Sequence, residues 1–137
     1  ANDIGSVLSN GAESNVDKYH VAAMGTPVLT LPYEGLEKHY SLLKDILGRD
    51  KEELLNELKV SGVRGRGGAG FQQAIKLGFL MKAESDTKFI ICNADEGDPG
   101  AYTDRWLLEE RPHSVLFGML AAGYIGGAQW GGAGGVA

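Results

Sequence analysis

Five glycines in ten residues, broken by two arginines and closed by an aromatic, form the stretch Gly62-Val63-Arg64-Gly65-Arg66-Gly67-Gly68-Ala69-Gly70-Phe71. Glycine allows φ > 0 and close approach of the backbone to a ligand. The N–H groups of such a loop, with the positive end of a following helix, suit an anion such as a phosphate. Arg64, Arg66 and Lys76 add positive charge. The spacing Gly65-x-Gly67-x-x-Gly70 matches a dinucleotide fingerprint, but with 21 glycines in 137 residues the spacing alone does not specify a nucleotide. About 25 residues later comes a second chemical stretch, Asn93-Ala94-Asp95-Glu96-Gly97-Asp98-Pro99-Gly100. Asn93, Asp95 and Glu96 supply acceptors for hydroxyl or ring N–H groups. Phe71 and Phe79 lie eight residues apart, two helical turns, so on one helix both rings share a face and could clamp a flat base.

These groups need a scaffold. Helical spacing of Leu36, Tyr40, Leu43 and Ile46 predicts a helix from Tyr33 or Glu34 to Leu47, stopped by Gly48. Asp50-Lys51-Glu52-Glu53 has the form of a capping box, with the Glu53 side chain reaching back, and opens a helix to about Lys59 with Leu54, Leu55 and Leu58 inward. After the glycine loop, a helix over Phe71–Lys82 is expected to bury Ala74, Ile75, Gly78 and Phe79, with Met81 a further candidate. Lys88-Phe89-Ile90-Ile91-Cys92 reads as a buried, parallel-type strand. Ligands of open α/β sheets sit at the carboxyl ends of strands, which puts the acidic stretch in a suitable place. A short helix from Thr103 or Asp104 to Glu110 follows. Another starts at Pro112 and carries Leu116, Met119, Leu120 and Tyr124. Upstream, Gly11–Asn15 reads as loop and residues 27–32 as an extended lead-in. Gln129–Ala137 is glycine-rich and reads as a tail without a strand. The glycine loop follows a helix and not a strand, unlike a standard dinucleotide-binding unit.

Composition narrows the function classes. The net charge of −5 argues against nucleic acid as a partner. A single cysteine, Cys92, excludes an intrachain disulfide and a four-cysteine metal or cluster site within the chain. The helical part of the uncharged run from His113 is shorter than the roughly 20 residues of a bilayer span, so a buried helix is expected, without direct membrane insertion. Cys92 reads as a small buried hydrophobe and His113 as a helix-start residue. His20 and His39 have no visible partner.

Taken together, Ser61 to Phe71, Lys76, Ile91 to Gly100, Asp104-Arg105, Pro112-His113 and Gly118-Met119 resemble the FMN-bearing, NADH-oxidising subunit of respiratory complex I. The same unit recurs in NAD-dependent hydrogenases and formate dehydrogenases. The resemblance spans about Lys51 to Ala128. It implies an α/β, Rossmann-like three-layer flavin-binding domain, here its N-terminal part with a helical lead-in. Residues 1–49 would be an N-terminal extension and helix, 50–128 the FMN/NADH-binding segment, and 129–137 a glycine-rich tail. It implies that Gly65, Arg66, Gly67, Lys76, Asn93, Asp95 and Glu96 line an FMN site. It further implies that Phe71 and Phe79 pack on the NADH adenine and that Asp98 lies near the nicotinamide nucleotide. No side chain is implied as acid or base. The implied chemistry is hydride transfer from NADH to FMN, then electron transfer to 4Fe-4S clusters held elsewhere or by iron–sulfur partner subunits. The implied compartment is the cytoplasm, or the mitochondrial matrix in a eukaryote.

The chain departs from that pattern at Gln72-Gln73, where the family usually has Pro-Thr, and at Leu77, where a tryptophan is common. The family's strand after Gly127-Ala128 and its cluster-binding cysteines are not seen in this sequence. The expectation is therefore the first part of a subunit and one wall of a pocket. The alternative is a non-catalytic interaction subunit that lacks flavin and docks through the small-residue helix Gly118–Gly127 and the glycine tail.

Overall fold

The computed structural model describes residues 25, 26, 28 and 30–134. The expected Gly11–Asn15 loop, His20, part of the 27–32 lead-in and residues 135–137 of the tail lie outside these. Val28, Thr30 and Leu31 form bends and turns and not an extended segment.

Helix α1 (Leu36–Leu47) begins two or three residues later than the hydrophobic pattern suggests. Gly35 adopts φ 97°, a left-handed conformation that turns the chain before the first helical residue. Helix α2 (Lys51–Ser61) is capped as expected at one half of the box: Asp50 Oδ1 accepts from Glu52 N–H and Glu53 N–H, both at 3.0 Å. The other half does not form. The Glu53 carboxylate accepts from Arg49 Nη2 at 2.8 Å instead, because a charged guanidinium is a stronger donor than a main-chain amide. Glu57 joins the same guanidinium.

Helix α3 (Gln73–Lys82) leads through Ala83–Lys88 into strand β1 (Phe89–Asn93). Helices α4 (Thr103–Glu110) and α5 (Pro112–Gly126) then carry the chain to strand β2 (Trp130–Gly134). The strands pair parallel, with Phe89 opposite Trp130 and Asn93 opposite Gly134. A parallel pair needs such a helical crossover. The fold is thus mixed α/β, with a two-stranded sheet among the described residues.

Strand β2 overturns the expectation of a strandless glycine tail. A ladder is built from main-chain N–H and C=O groups, so Gly131, Gly132 and Gly134 supply it without side chains. A Cβ on Gly131 would lie 3.5 Å from Met119 Cε, an ordinary packing contact, so Met119 does not require glycine there. Strand β1 is parallel as expected but is not buried on both faces. Ile90 and Cys92 point inward, whereas Ile91 is 75 % exposed.

The core is a cluster of Leu54, Leu77 and Ile125, with Leu55, Leu58, Leu80, Met81 and Ile90 packed around it. It joins α2, α3 and α5 to one face of β1. The expected inward set on α3 is corrected: Ala74 and Leu77 are buried, while Ile75 and Phe79 face outward. The inward stripe is Ala74, Leu77, Leu80 and Met81, at the three- and four-residue spacing of one helical face. On α5 the inward positions are Ile125 and Gly126, and Leu120 turns out. Gly126 marks the tightest approach, since a Cβ there would sit 2.5 Å from Leu80 Cδ2 and 3.1 Å from its Cγ.

Candidate functional site

The glycine loop is a closed structure between α2 and α3. Its neck is made by Gly65 N–H donating to the Phe71 carbonyl at 2.8 Å and Gln73 N–H donating to the Val63 carbonyl at 3.0 Å. Arg64 and Gln72 form the antiparallel bridge between these bonds. Arg64 also folds back, Nη1 donating to the Gly70 carbonyl at 3.0 Å. The two arginines therefore differ: Arg64 straps the loop, while Arg66 has no ionic or hydrogen-bonding partner among the described residues. Inside the neck, Gly68 takes φ 104°, which a side chain would strain. A Cβ at Gly67 would meet nothing within 4 Å. Among the described residues, the N–H groups of Arg66, Gly67, Gly68, Ala69 and Gly70 have no protein acceptor. A row of unsatisfied, exposed donors with a guanidinium beside them suits a phosphate. Lys76 stands exposed in the first turn of the helix that follows.

The acidic stretch leaves the carboxyl end of β1, as the sequence indicates. Asn93 Oδ1 accepts from Asp95 N–H at 3.0 Å, a local turn that ends the strand. The Asp98 carbonyl accepts from Ala101 N–H at 3.1 Å. The carboxylates of Asp95 and Asp98 are exposed and have no partner among the described residues. Glu96 differs: its Oε1 accepts from Asp104 N–H at 2.7 Å and its Oε2 from Arg105 N–H at 3.0 Å.

The aromatic pair is not arranged as helical spacing suggests. Phe71 precedes α3 and belongs to the neck, so the two rings do not share a helical face. Phe79 lies on α3 and lines a groove of about 350 Å³ with Leu55, Asn56, Lys59, Ile75 and Lys82; Phe71 does not line it. Both rings are exposed, Phe79 at 67 %. The outward rings are available to a ligand, but not as one flat platform on α3.

Two sets of contacts are absent from any local sequence signal. Arg111, at the α4–α5 junction, donates from Nε to the Leu31 carbonyl at 2.9 Å and from Nη2 to the Thr30 carbonyl at 3.0 Å. Its guanidinium also lies 5.2 Å from the Trp106 ring and 5.8 Å from the Tyr33 ring. Next to it, α1 is fastened to α5 by rings. His39 Nε2–H donates to the His113 carbonyl at 3.2 Å, which corrects the expectation that His39 lacks a partner. The Tyr40 hydroxyl lies 2.8 Å from His113 Nδ1. Tyr33 and Phe117 complete the cluster, with ring centroids 4.8 Å and 5.4 Å from His39. Burial, and to a lesser extent His39, holds the His113 imidazole below its ordinary range. Burial also pushes the Tyr40 phenol up. A neutral imidazole accepting from the phenol fits both directions. His113 is the second residue of α5, as expected of a helix-start residue.

The chain is similar to known proteins over the segment that holds the two loops. The Nuo51 FMN-binding domain family matches residues 58–133, more than half of the chain. The NADP-reducing hydrogenase subunit HndC of Solidesulfovibrio fructosivorans is 46 % identical over 96 residues, covering 70 % of this chain and 18 % of that protein. The mitochondrial NADH dehydrogenase (ubiquinone) flavoprotein 1 of Dictyostelium discoideum is 41 % identical over 83 residues, covering 59 % of this chain and 17 % of that protein. The chain thus spans less than a fifth of the length of these relatives. The crystal structure of an NAD+-reducing NiFe-hydrogenase in the H2-reduced state superimposes with a TM-score of 0.62 at 36 % identity, over 76 % of this chain and 17 % of that one. The glycine loop, strand β1, the acidic stretch and most of β2 all fall within the matched segment, and the chain belongs to the Nuo51 FMN-binding domain family.

Proposed function

We propose that this chain forms one wall of an FMN site in an NADH-oxidising oxidoreductase, within a Rossmann-like three-layer flavin domain that takes in residues 50–128 and strand β2, which pairs with β1. The observation that carries the reading is the set of unsatisfied N–H groups on Arg66, Gly67, Gly68, Ala69 and Gly70, on a loop whose neck is closed by hydrogen bonds. Such a cradle, with its neck closed, needs less ordering on binding than an open loop. The FMN phosphate would take the N–H groups of this loop and the charges of Arg66 and Lys76. Asn93 and Asp95 would accept from ribityl hydroxyls or the ring. Phe71, Phe79 and Asp98 would meet NADH, the two rings from separate positions.

Convergence of the two loops is part of the proposal. Lys88 Nζ donates to the Met81 carbonyl at 3.1 Å, which ties the end of α3 to the start of β1. A ten-residue helix is about 15 Å long and a five-residue strand roughly 17 Å. Running antiparallel, they would bring the glycine loop and the acidic stretch level at their other ends, as at the ligand-binding edge of α/β sheets.

When bound, FMN would supply the redox chemistry, hydride acceptance from a nicotinamide and single-electron release. The residues here bind and orient; none is positioned as an acid or base. The electrons would leave to iron–sulfur clusters on other polypeptides of a larger complex. The test is the visible spectrum of the native protein, with NADH oxidation by an artificial acceptor. A flavin band bleached by NADH supports the reading, and a protein that neither carries FMN nor binds it when added refutes it.

A second reading rests on the apolar groove lined by Leu47, Leu116, Met119, Leu120 and Trp130. Under it the chain is a docking module that carries no flavin. Assembly into a complex that holds no FMN on this chain would favour it.

A further inference from the structure

Glu96 stands apart from the other acidic residues of its loop. Among the described residues it is the one non-glycine with a positive φ, 46°, a conformation that an L-residue adopts at a cost. It is half-buried, whereas Asp95 and Asp98 are exposed. Its two oxygens accept from the N–H groups of the second and third residues of α4, at 2.7 Å and 3.0 Å. Those are the amides an N-cap side chain ordinarily serves. The residue at the cap position, Tyr102, makes no side-chain cap bond. The carboxylate also lies where the helix dipole favours negative charge. A residue seven positions before the helix therefore acts as its cap, at the expense of local backbone strain.

We propose that Glu96 is a positioning residue and not a flavin ligand, a proposal that rests on the FMN reading above. By clamping the middle of the acidic stretch to the start of α4, it fixes where its neighbours face. Asp95 lies one residue before it and Gly97 one residue after, where an added Cβ would come 3.3 Å from Asp95 Oδ2. Asp98 follows on the Ala101 turn. The clamp holds Asn93, Asp95 and Asp98 in place before a ligand binds.

The test uses the full-length protein, flavin-free and with added FMN, as wild type, Glu96→Gln and Glu96→Ala. Amide hydrogen exchange is read at Asp104 and Arg105, and FMN affinity by fluorescence quenching. In the flavin-free protein, Glu96→Ala is expected to speed exchange at both amides by about fivefold to tenfold, the worth of a lost cap. It is also expected to weaken FMN binding about fivefold or more through lost preorganisation. Glu96→Gln, which keeps an acceptor oxygen, should recover most of both. Unchanged exchange in flavin-free Glu96→Ala would overturn the clamp. So would faster exchange with unchanged FMN affinity, which would leave a cap with no hold on the site. A Glu96→Gln variant with protected amides but FMN binding as poor as in Glu96→Ala would make Glu96 a ligand and overturn the proposal. Wild-type protein that takes up no FMN would refute the proposed function, and the exchange comparison would still decide for or against the clamp.

Discussion

Replacing Gly67 by valine separates a ligand-binding glycine from a structural one. The site has no positive φ, and a Cβ there would meet no atom within 4 Å. The fold should accept the side chain with a change in stability within about 0.5 kcal/mol, as for an ordinary surface position. A ligand phosphate should not accept it. A branched side chain beside the N–H row would displace the phosphate from at least one charge-assisted hydrogen bond, worth about 1.5–3 kcal/mol. That corresponds to a roughly 10- to 150-fold rise in the FMN Kd. Gly68→Val is the companion: at φ 104° a β-branched residue is strained, at a cost of about 1–3 kcal/mol, so it should lose both stability and FMN. The assay is fluorescence titration with FMN alongside thermal denaturation of the same three proteins. A Gly67→Val protein that binds FMN like wild type would refute the cradle. One that melts as early as Gly68→Val would refute the loop geometry.

The same substitution on α5 should have opposite signs at two positions. Gly126→Ala places a methyl 2.5 Å from Leu80 Cδ2 and should destabilise by about 1–3 kcal/mol, whereas Gly118→Ala, with open space at its Cβ, should stabilise by about 0.5–1 kcal/mol; denaturant melts decide. Removing the α2 cap with Asp50→Ala should cost about 1 kcal/mol, read in the same melts. Acid should loosen the ring cluster. His113 titrates lower in the folded chain than in the unfolded one, so the unfolded state binds the proton first and stability falls as pH drops through about 6.5 towards the folded value. Melting temperatures between pH 7.5 and 5.5 should fall more steeply for wild type than for His113→Gln, and equal slopes would contradict that assignment.

What the sequence disclosed, and what it withheld, follows the range of the interactions. The glycine loop and the acidic stretch were legible because their chemistry is local: donors, carboxylates and turn residues lie within ten positions of one another. The Asp50 cap was legible for the same reason. The start of α3 was not, because Arg64 pairs across the neck with Gln72 and holds Phe71 out of the helix. That one bond pattern removed the shared face assumed for Phe71 and Phe79. Strand β2 was hidden because its pairing uses main chain only, so its side chains give no alternating pattern. The Arg111 anchor spans 80 residues, to Leu31, and the His39 contact 74, to His113; no window along the chain contains them. Glu96 was picked out for its charge, yet its cap lies on a helix that starts seven residues later.

The central claim is that the two loops serve one ligand. Amide exchange measured on the full-length protein before and after one equivalent of FMN tests it directly. Simultaneous slowing at residues 65–70 and 93–98 is the expected result. Slowing at only one of the two segments, with FMN bound, would contradict it.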